Sequence, residues 1–310
     1  MFSTSSPLTF ARPGLWQRVR HHARQMLTTR QFHGTTNPVH SGPSAALTGQ
    51  GRVYIVGAGP GDADLLTVKA VKVIQHADVV LFDALVDSSV LALIPRHVKR
   101  EYVGKRCAKH SASQQYICDR LVSLAGAGFT VVRLKGGDPA IFGRTCEETR
   151  ALEQADIPFA IVPGITAASG ASAYTGISLT ERNSAQAVRL MTAHFKEKDK
   201  ECDWPALAAA LESETLVMYM GLSRLSSICT RLAAAGVPPE LPVAVVESAC
   251  CPEQTLYTGT LNTIARQIEQ ASIHGPALLI FGQVVNLRQA VNVSLLDTAV
   301  ITKRAPVAQL

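Results

Sequence analysis

The chain has 310 residues, a net charge of +6, 47% hydrophobic residues and 17% charged ones, enough for one large domain or two modest ones. No stretch reaches the roughly 18 uninterrupted apolar residues that a membrane helix needs, so no membrane span is expected and the protein reads as soluble throughout. Residues 1–51 hold five arginines and no acid, while the remainder carries 25 Lys and Arg against 24 Asp and Glu; a nucleic-acid surface would place its basic excess on the folded part, so no nucleic-acid partner is expected.

Residues 1–51 are rich in Ser, Thr, Arg and His. That is the composition of an organellar transit peptide or of a disordered bacterial extension. The extension is the preferred reading, with a cytoplasmic protein behind it and an organellar location as the alternative. The seven cysteines form neither a CxxC pair nor a metal-ligand spacing, which predicts reduced thiols and no metal.

At residue 52 the pattern changes. Residues 52–57 read as an apolar strand running into "GAGPGD", 65–77 as a helix and 78–86 as a second strand. Next come a helix in "SQQYICDRLVSLAGAG", a strand and turn in "TVVRLKGGDP", a helix in "GRTCEETRALEQA" and a strand in "FAIVPGI". A second half begins near Gly164, with strands in "AVRLMTA", "TLVMYMG", "PVAVVES" and "ALLIFGQVV" and helices in "SRLSSICTRLAAAG" and "TLNTIARQIEQAS". Alternating strands and helices predict an α/β fold of layered sheets. The expected organisation is an N-terminal α/β lobe at 52–163, a C-terminal α/β lobe at 164–290, a flexible tail at 291–310 and a ligand cleft between the lobes.

The loop "VGAGPGDADLL" departs from the dinucleotide fingerprint, because Asp62 stands where the third glycine belongs and two acids face the helix entrance. A pyrophosphate would meet carboxylates there, and Asp62 makes a better helix cap than a phosphate neighbour. The ligand is therefore expected to be uncharged or cationic. In "VRLKGGDPAIFGRTCEE", Gly136 and Gly137 let backbone approach a ligand, and Pro139 holds Asp138 extended so that its carboxylate projects from the strand end. "VPGITAASGASAYTGISLT" adds a third junction of small residues.

In this order, "GAGPGD", "DALV", "VGKR", "HSASQ", "RLKGGDPAIFGR" with "EE" behind it, "VPGITAASG", "YMG" and "TGTL" resemble the tetrapyrrole (precorrin-type) methyltransferase family. "GKR", "HSASQ" and "KGGDPAIFGR" point to its uroporphyrinogen-III C-methyltransferase branch. The resemblance covers about residues 52–288. It implies S-adenosylmethionine as donor, S-adenosylhomocysteine as by-product, a homodimer, and two methylations of uroporphyrinogen III at C2 and C7 to give precorrin-2 for sirohaem, cobalamin or haem d1. It places donor contacts at Pro60, Gly136, Gly137, Asp138, Ile141, Thr166, Ala167, Met220, Ala249 and Ala277. Substrate carboxylates fall to Arg106, Arg144 and Arg182, with Met220 also at the substrate. Arginine suits them because a guanidinium stays charged and pairs bidentately.

For proton transfer the resemblance offers Asp83 as acceptor and Lys105 as donor, or Arg144 with Glu147 beside it. Asp83 is the easier base, since the pKa of arginine exceeds about 12. Departures from the family pattern fall at Cys107, Ala108, Thr145, Cys146 and Ala249. The competing readings are a methyltransferase acting on a later corrin intermediate, a non-catalytic S-adenosylmethionine-binding module and a nicotinamide-dependent reductase.

Overall fold

The computed structural model describes residues 51–301, apart from 107–109, 112, 195–201 and 274. The chain divides into two units, Met1–Thr48 and Gly49–Leu310, and all described residues belong to the second. Among them, no helix is long and apolar enough to cross a membrane.

The first sheet is built from β1 (Arg52–Gly57), β2 (Val79–Phe82), β3 (Lys99–Tyr102), β6 (Thr130–Lys135) and β7 (Phe159–Val162), in the order β3-β2-β6-β1-β7. Every pair is parallel. Between β3 and β6 lies a small antiparallel pair, β4 (Lys105–Arg106) and β5 (His110–Ser111).

Helices cover both faces, as a parallel sheet requires. On one face, α1 (Val68–Gln75) and α2 (Ser88–Ala92) pack Ala70, Ile74 and Val90 against Val56, Val80, Val132 and Leu134. On the other, α3 (Gln114–Gly126) and α4 (Thr145–Gln154) bring Ile117, Leu121, Leu124 and Leu152 onto Val53, Ile55, Leu81 and Val131. Each fully buried Leu or Ile contributes roughly 1.5–3 kcal/mol. Three of these helices start at a polar cap: Thr67, Asp87 and Ser113 accept the N–H groups of Ala70, Ser89 and Tyr116, satisfying donors that have no partner inside the helix.

After β7 the chain enters α5 (Ala167–Thr175) and then the second sheet: β8 (Ala187–Thr192), β9 (Glu214–Tyr219), β10 (Pro242–Glu247), β11 (Thr255–Thr260) and β12 (Ala277–Phe281). Their order is β11-β10-β12-β9-β8. Helices α6 (Trp204–Ala210), α7 (Leu225–Ala234) and α8 (Ile264–Ala271) cover one face, burying Leu207, Ile228, Leu232, Ile264 and Ile268. On the other face α5 lays Ala168 and Ala171 against Val217, Ala244 and Ile280. A 3-10 turn, Val293–Leu296, and the one-turn helix α9 (Thr298–Ile301) follow.

Only β8 and β9 are parallel in this second sheet; β10 runs antiparallel to β11 and β12, and β12 antiparallel to β9. The link from Glu247 to Thr255 is too short for a helical crossover, so it turns back as a hairpin.

β3 and β11, which the sequence pattern did not show, are both edge strands. Their residues, "KREY" and "TLYTGT", include no buried position. An edge strand needs no apolar run, and charge there discourages pairing with another chain.

Candidate active site at the meeting of the two sheets

In the parallel sheet, the loops after β1, β2, β6 and β7 all leave from one edge, where open α/β sheets bind ligands. Three glycines lock these loops together. A Cβ on Gly57 would stand 2.6 Å from Gly164 N and 2.7 Å from Gly137 O, closer than real Cβ atoms come. Gly59 and Gly137 exchange hydrogen bonds of 3.2 and 2.7 Å. A Cβ on Gly164 would likewise stand 2.4 Å from Gly137 O, so Gly57 and Gly164 serve first to pack main chain against main chain. At Gly137 itself a Cβ would find ordinary spacing, 3.8 Å from Ala167 N, and glycine is needed there for a φ of 68°.

The expectation for Asp138 is corrected. Its carboxylate does not project freely: Oδ1 accepts Ala140 N–H at 2.8 Å and Oδ2 accepts Gly164 N–H at 2.9 Å. Asp62 caps its own 3-10 turn, as expected, by accepting Asp64 N–H, while its other oxygen accepts the Tyr174 hydroxyl at 2.6 Å. Burial and this hydrogen bond together push the Tyr174 hydroxyl well above its usual pKa.

The second sheet presents its own edge to the same place. Register pairs Tyr219 with Leu278 and Glu247 with Ala277, so Met220, Ala249 and Ala277 share one end of three neighbouring strands. The two edges meet through Tyr219. Its hydroxyl lies 2.6 Å from Thr166 Oγ1 and accepts Ala168 N–H at 3.0 Å, at the start of α5. Its ring lies 4.9 Å from Phe142 of the β6–α4 loop. Burial raises the Tyr219 pKa, and the negative charge of Asp138 adds to the effect. Gly170 in α5 faces the Pro60 ring and Cys250. Thus Pro60, Gly136, Gly137, Asp138, Thr166, Ala167, Met220, Ala249 and Ala277 all belong to segments gathered at this meeting of edges, and Ile141 lies in the Phe142 loop.

That loop is tightly wound: Phe142 and Arg144 are non-glycine residues with φ of 54° and 55°, and Met220, just after β9, has 56°. Such values are uncommon outside glycine and accompany functional sites. Arg144 caps α4, and its guanidinium makes a bidentate pair with Glu147, both contacts 2.7 Å. Hydrogen bonding to Glu147 raises the Arg144 pKa further, so this guanidinium is better suited to holding an anion than to taking a proton. Arg182 is exposed, in the turn closed by the Glu181–Ala185 bridge. Lys105 and Arg106 pair with Ser111 and His110, but their side chains lie outside the described residues, as do Cys107 and Ala108. Thr145 is buried and donates to Pro139 O, whereas Cys146 is exposed.

A buried charge cluster was not foreseen. Arg133, Lys135 and Glu148 are 4%, 5% and 0% exposed. Glu148 Oε1 accepts Lys135 Nζ at 2.8 Å, Gln114 Nε2 at 3.0 Å and Arg133 Nε at 3.4 Å. Arg133 Nη2 then reaches Asp83 Oδ2 at 2.8 Å, and Asp83 Oδ1 accepts Leu85 N–H, in a loop packed on Gly136. Burial lowers the Lys135 pKa, with the Glu148 charge opposing it. Of the two adjacent glutamates, the exposed one pairs with Arg144 and the buried one reaches, through Arg133, to Asp83. The available signal was "VRLK": two cations at alternate positions of an otherwise apolar strand, hence on one face.

Among the described residues, no group of His, Cys, Asp and Glu is arranged to hold a metal.

A parallel sheet and a mixed sheet meeting edge to edge over loops of glycine and small residues describe a class of two-lobed α/β ligand-binding proteins. The chain belongs to the Tetrapyrrole (Corrin/Porphyrin) Methylases, whose family profile matches residues 52–265. It is 52% identical over 240 residues to a siroheme synthase of Acinetobacter baylyi, covering 77% of this chain and 52% of the relative. A siroheme synthase of Pseudomonas aeruginosa is 47% identical over 249 residues, with 80% and 53% covered. The chain thus spans about half the length of these curated relatives. Among solved structures, the uroporphyrin-III C-methyl transferase of Thermus thermophilus complexed with S-adenyl homocysteine superimposes with a TM-score of 0.66 at 38% identity, over 76% of this chain and all of that one. A cobalt precorrin-4 methyltransferase gives 0.67 at 26% identity, covering 76% and 95%.

Proposed function

We propose that this chain transfers methyl groups from S-adenosylmethionine to C2 and C7 of uroporphyrinogen III, giving precorrin-2 and S-adenosylhomocysteine. The observation that carries this reading is the convergence at Tyr219. Main chain and small side chains from both sheets gather there, with Asp83 and Arg144 on the adjoining loops. The donor's sulfonium carries no phosphate, and the carboxylates nearest the glycine loops, Asp62 and Asp138, are already bound by protein donors. Contacts to the donor would thus come mainly from backbone around Pro60, Gly136–Asp138, Thr166–Ala167, Met220, Ala249 and Ala277, and this small-residue lining fits it. When bound, the donor supplies an electrophilic methyl group.

The protein's part is to hold the ring in line and to handle a proton. Arg144, with Arg106 and Arg182, would take carboxylates of the eightfold acidic macrocycle, since planar guanidinium groups suit bidentate pairing. Fixing the attacking carbon against the methyl group would supply much of the rate. Asp83 would receive the proton released from the alkylated ring, and Lys105 is read as the donor. Asp83 is 24% exposed, so one side remains reachable. The relatives' name, siroheme synthase, favours sirohaem as the destination of the product. A homodimer belongs to the same proposal; Phe159 and Ile161, 39% and 46% exposed on edge strand β7, offer apolar surface for one.

The test is direct. Purified protein is incubated with the donor and freshly reduced uroporphyrinogen III, the mixture is oxidised, and isobacteriochlorin absorption is sought together with a mass gain of two methyl groups. Donor binding without methylated product would overturn the reading.

A further inference from the structure

We infer that Glu148, acting through Arg133, is a positioning residue that fixes the Asp83 carboxylate at the cleft. The inference rests on the proposed role of Asp83 as proton acceptor and deepens it.

Geometry supplies the argument. The Arg133 guanidinium is held on every side: Nη1 donates to Leu134 O at 2.8 Å, Nε faces Glu148 Oε1 and Nη2 meets Asp83. Glu148 Oε1 also binds Lys135 and Gln114, so the buried end of the chain of contacts is anchored by α3, α4 and β6 together. The outer end is a single carboxylate. Each of its oxygens takes one protein hydrogen bond, which leaves lone pairs for a proton. Two cations and two anions balance within the cluster.

Stability alone does not account for the arrangement. Buried ion pairs are often no more stabilising than well-packed apolar side chains of equal volume. Glu148 Oε2, moreover, is buried without a hydrogen-bond partner among the described residues, which is a cost rather than a gain. What the cluster does achieve is orientation: a guanidinium that cannot rotate sets where Asp83 points.

A cycle of Glu148→Gln, Asp83→Asn and the double variant tests this, using donor and uroporphyrinogen III as above. Glu148→Gln is expected to fold, to bind S-adenosylhomocysteine within about threefold of the parent, and to lose at least about tenfold in kcat with KM within about threefold. The double variant is expected to be no slower than Asp83→Asn alone, because the effect passes through Asp83. Should Glu148→Gln fail to fold, Lys135→Gln with Glu148→Gln removes both charges and takes its place in the cycle.

Losses that multiply in the double variant, or a Glu148→Gln enzyme at parental kcat, would overturn this inference and leave the proposed function standing. Parental activity in Asp83→Asn would remove the base assignment and this inference with it. Absence of methylated product from the parent would overturn the proposed function itself, and the inference would fall with it.

Discussion

Tyr219, at the end of β9, and Thr166, in the loop that leaves β7, meet hydroxyl to hydroxyl at 2.6 Å. One side chain thereby ties the end of β9 to the start of α5, the helix that leaves the first sheet. Its hydroxyl also accepts an amide, Ala168 N–H, that would have no partner inside the helix. Tyr219→Phe keeps the ring against Phe142 but breaks both contacts. The expected cost is about 1–3 kcal/mol, read by urea unfolding. Calorimetry with S-adenosylhomocysteine should show weaker binding, since Thr166 and Ala167 lie among the proposed donor contacts. Unchanged stability and affinity would show that the two edges are held together elsewhere.

The glycine trio predicts intolerance. Alanine at Gly57 places a methyl carbon on the main chain of Gly164 and Gly137, and neither can yield without parting β1 from its neighbours. Gly57→Ala and Gly164→Ala are each expected to lose about 3 kcal/mol or more. Gly126→Ala, where an added Cβ meets nothing within 4 Å, should stay within about 1 kcal/mol of the parent. Thermal unfolding of the three variants side by side checks the contrast.

Arg144 and Glu147 should separate kinetically. Both are about half exposed, so their pairing adds little to stability. Arg144→Ala is expected to lower kcat/KM for the tetrapyrrole by about a hundredfold, near 2.7 kcal/mol of transition-state stabilisation. Arg144→Lys should recover only part of it, because an ammonium lacks the planar fork. Glu147→Gln frees the guanidinium from its competitor and should leave the tetrapyrrole KM unchanged or lower. A raised KM in Glu147→Gln would argue that the glutamate itself holds the substrate.

Two thiols set an alkaline limit. Burial pushes Cys250 up to about 12 and Cys229 up to about 11, from an ordinary 9.0; beside Cys250, the Cys251 and Asp62 charges add to the rise. Both pKa values are raised in the fold, so the folded state binds protons more strongly between pH 9 and these values. Stability is therefore complete below about pH 9 and falls as pH rises, by at most about 1.4 kcal/mol per pH unit for each thiol. Cys250→Ala should flatten that decline in denaturant titrations from pH 8.5 to 10.5. At neutral pH, alkylation followed by peptide mass mapping should modify exposed Cys146 well before Cys229 or Cys250.

Much of this protein is written along the chain. β1, β6 and β7 run into glycine or proline and β2 into Asp83, and the predicted helices α1 and α3 start at Thr67 and Ser113. Local rules of propensity and capping are enough to find them. The motifs that carry the family are local too, because backbone approaching a ligand needs small residues in fixed order. Asp62 as a cap was legible for the same reason.

Pairing across the chain was not legible. Whether a glycine faces a ligand or another glycine depends on which loops stack, and only the tertiary structure brings together Gly57, Gly137 and Gly164, which lie at the ends of three different strands. The antiparallel course of β10 and β12 depends on how the short links turn back. The choice between Glu147 and Glu148 follows from one helix rotation of about 100° per residue, which sends one carboxylate to solvent and its neighbour to Lys135. Sequence determines which groups are present and which local turns they favour. Burial and contact, set by the packing of distant segments, decide which of those groups are free to meet a substrate.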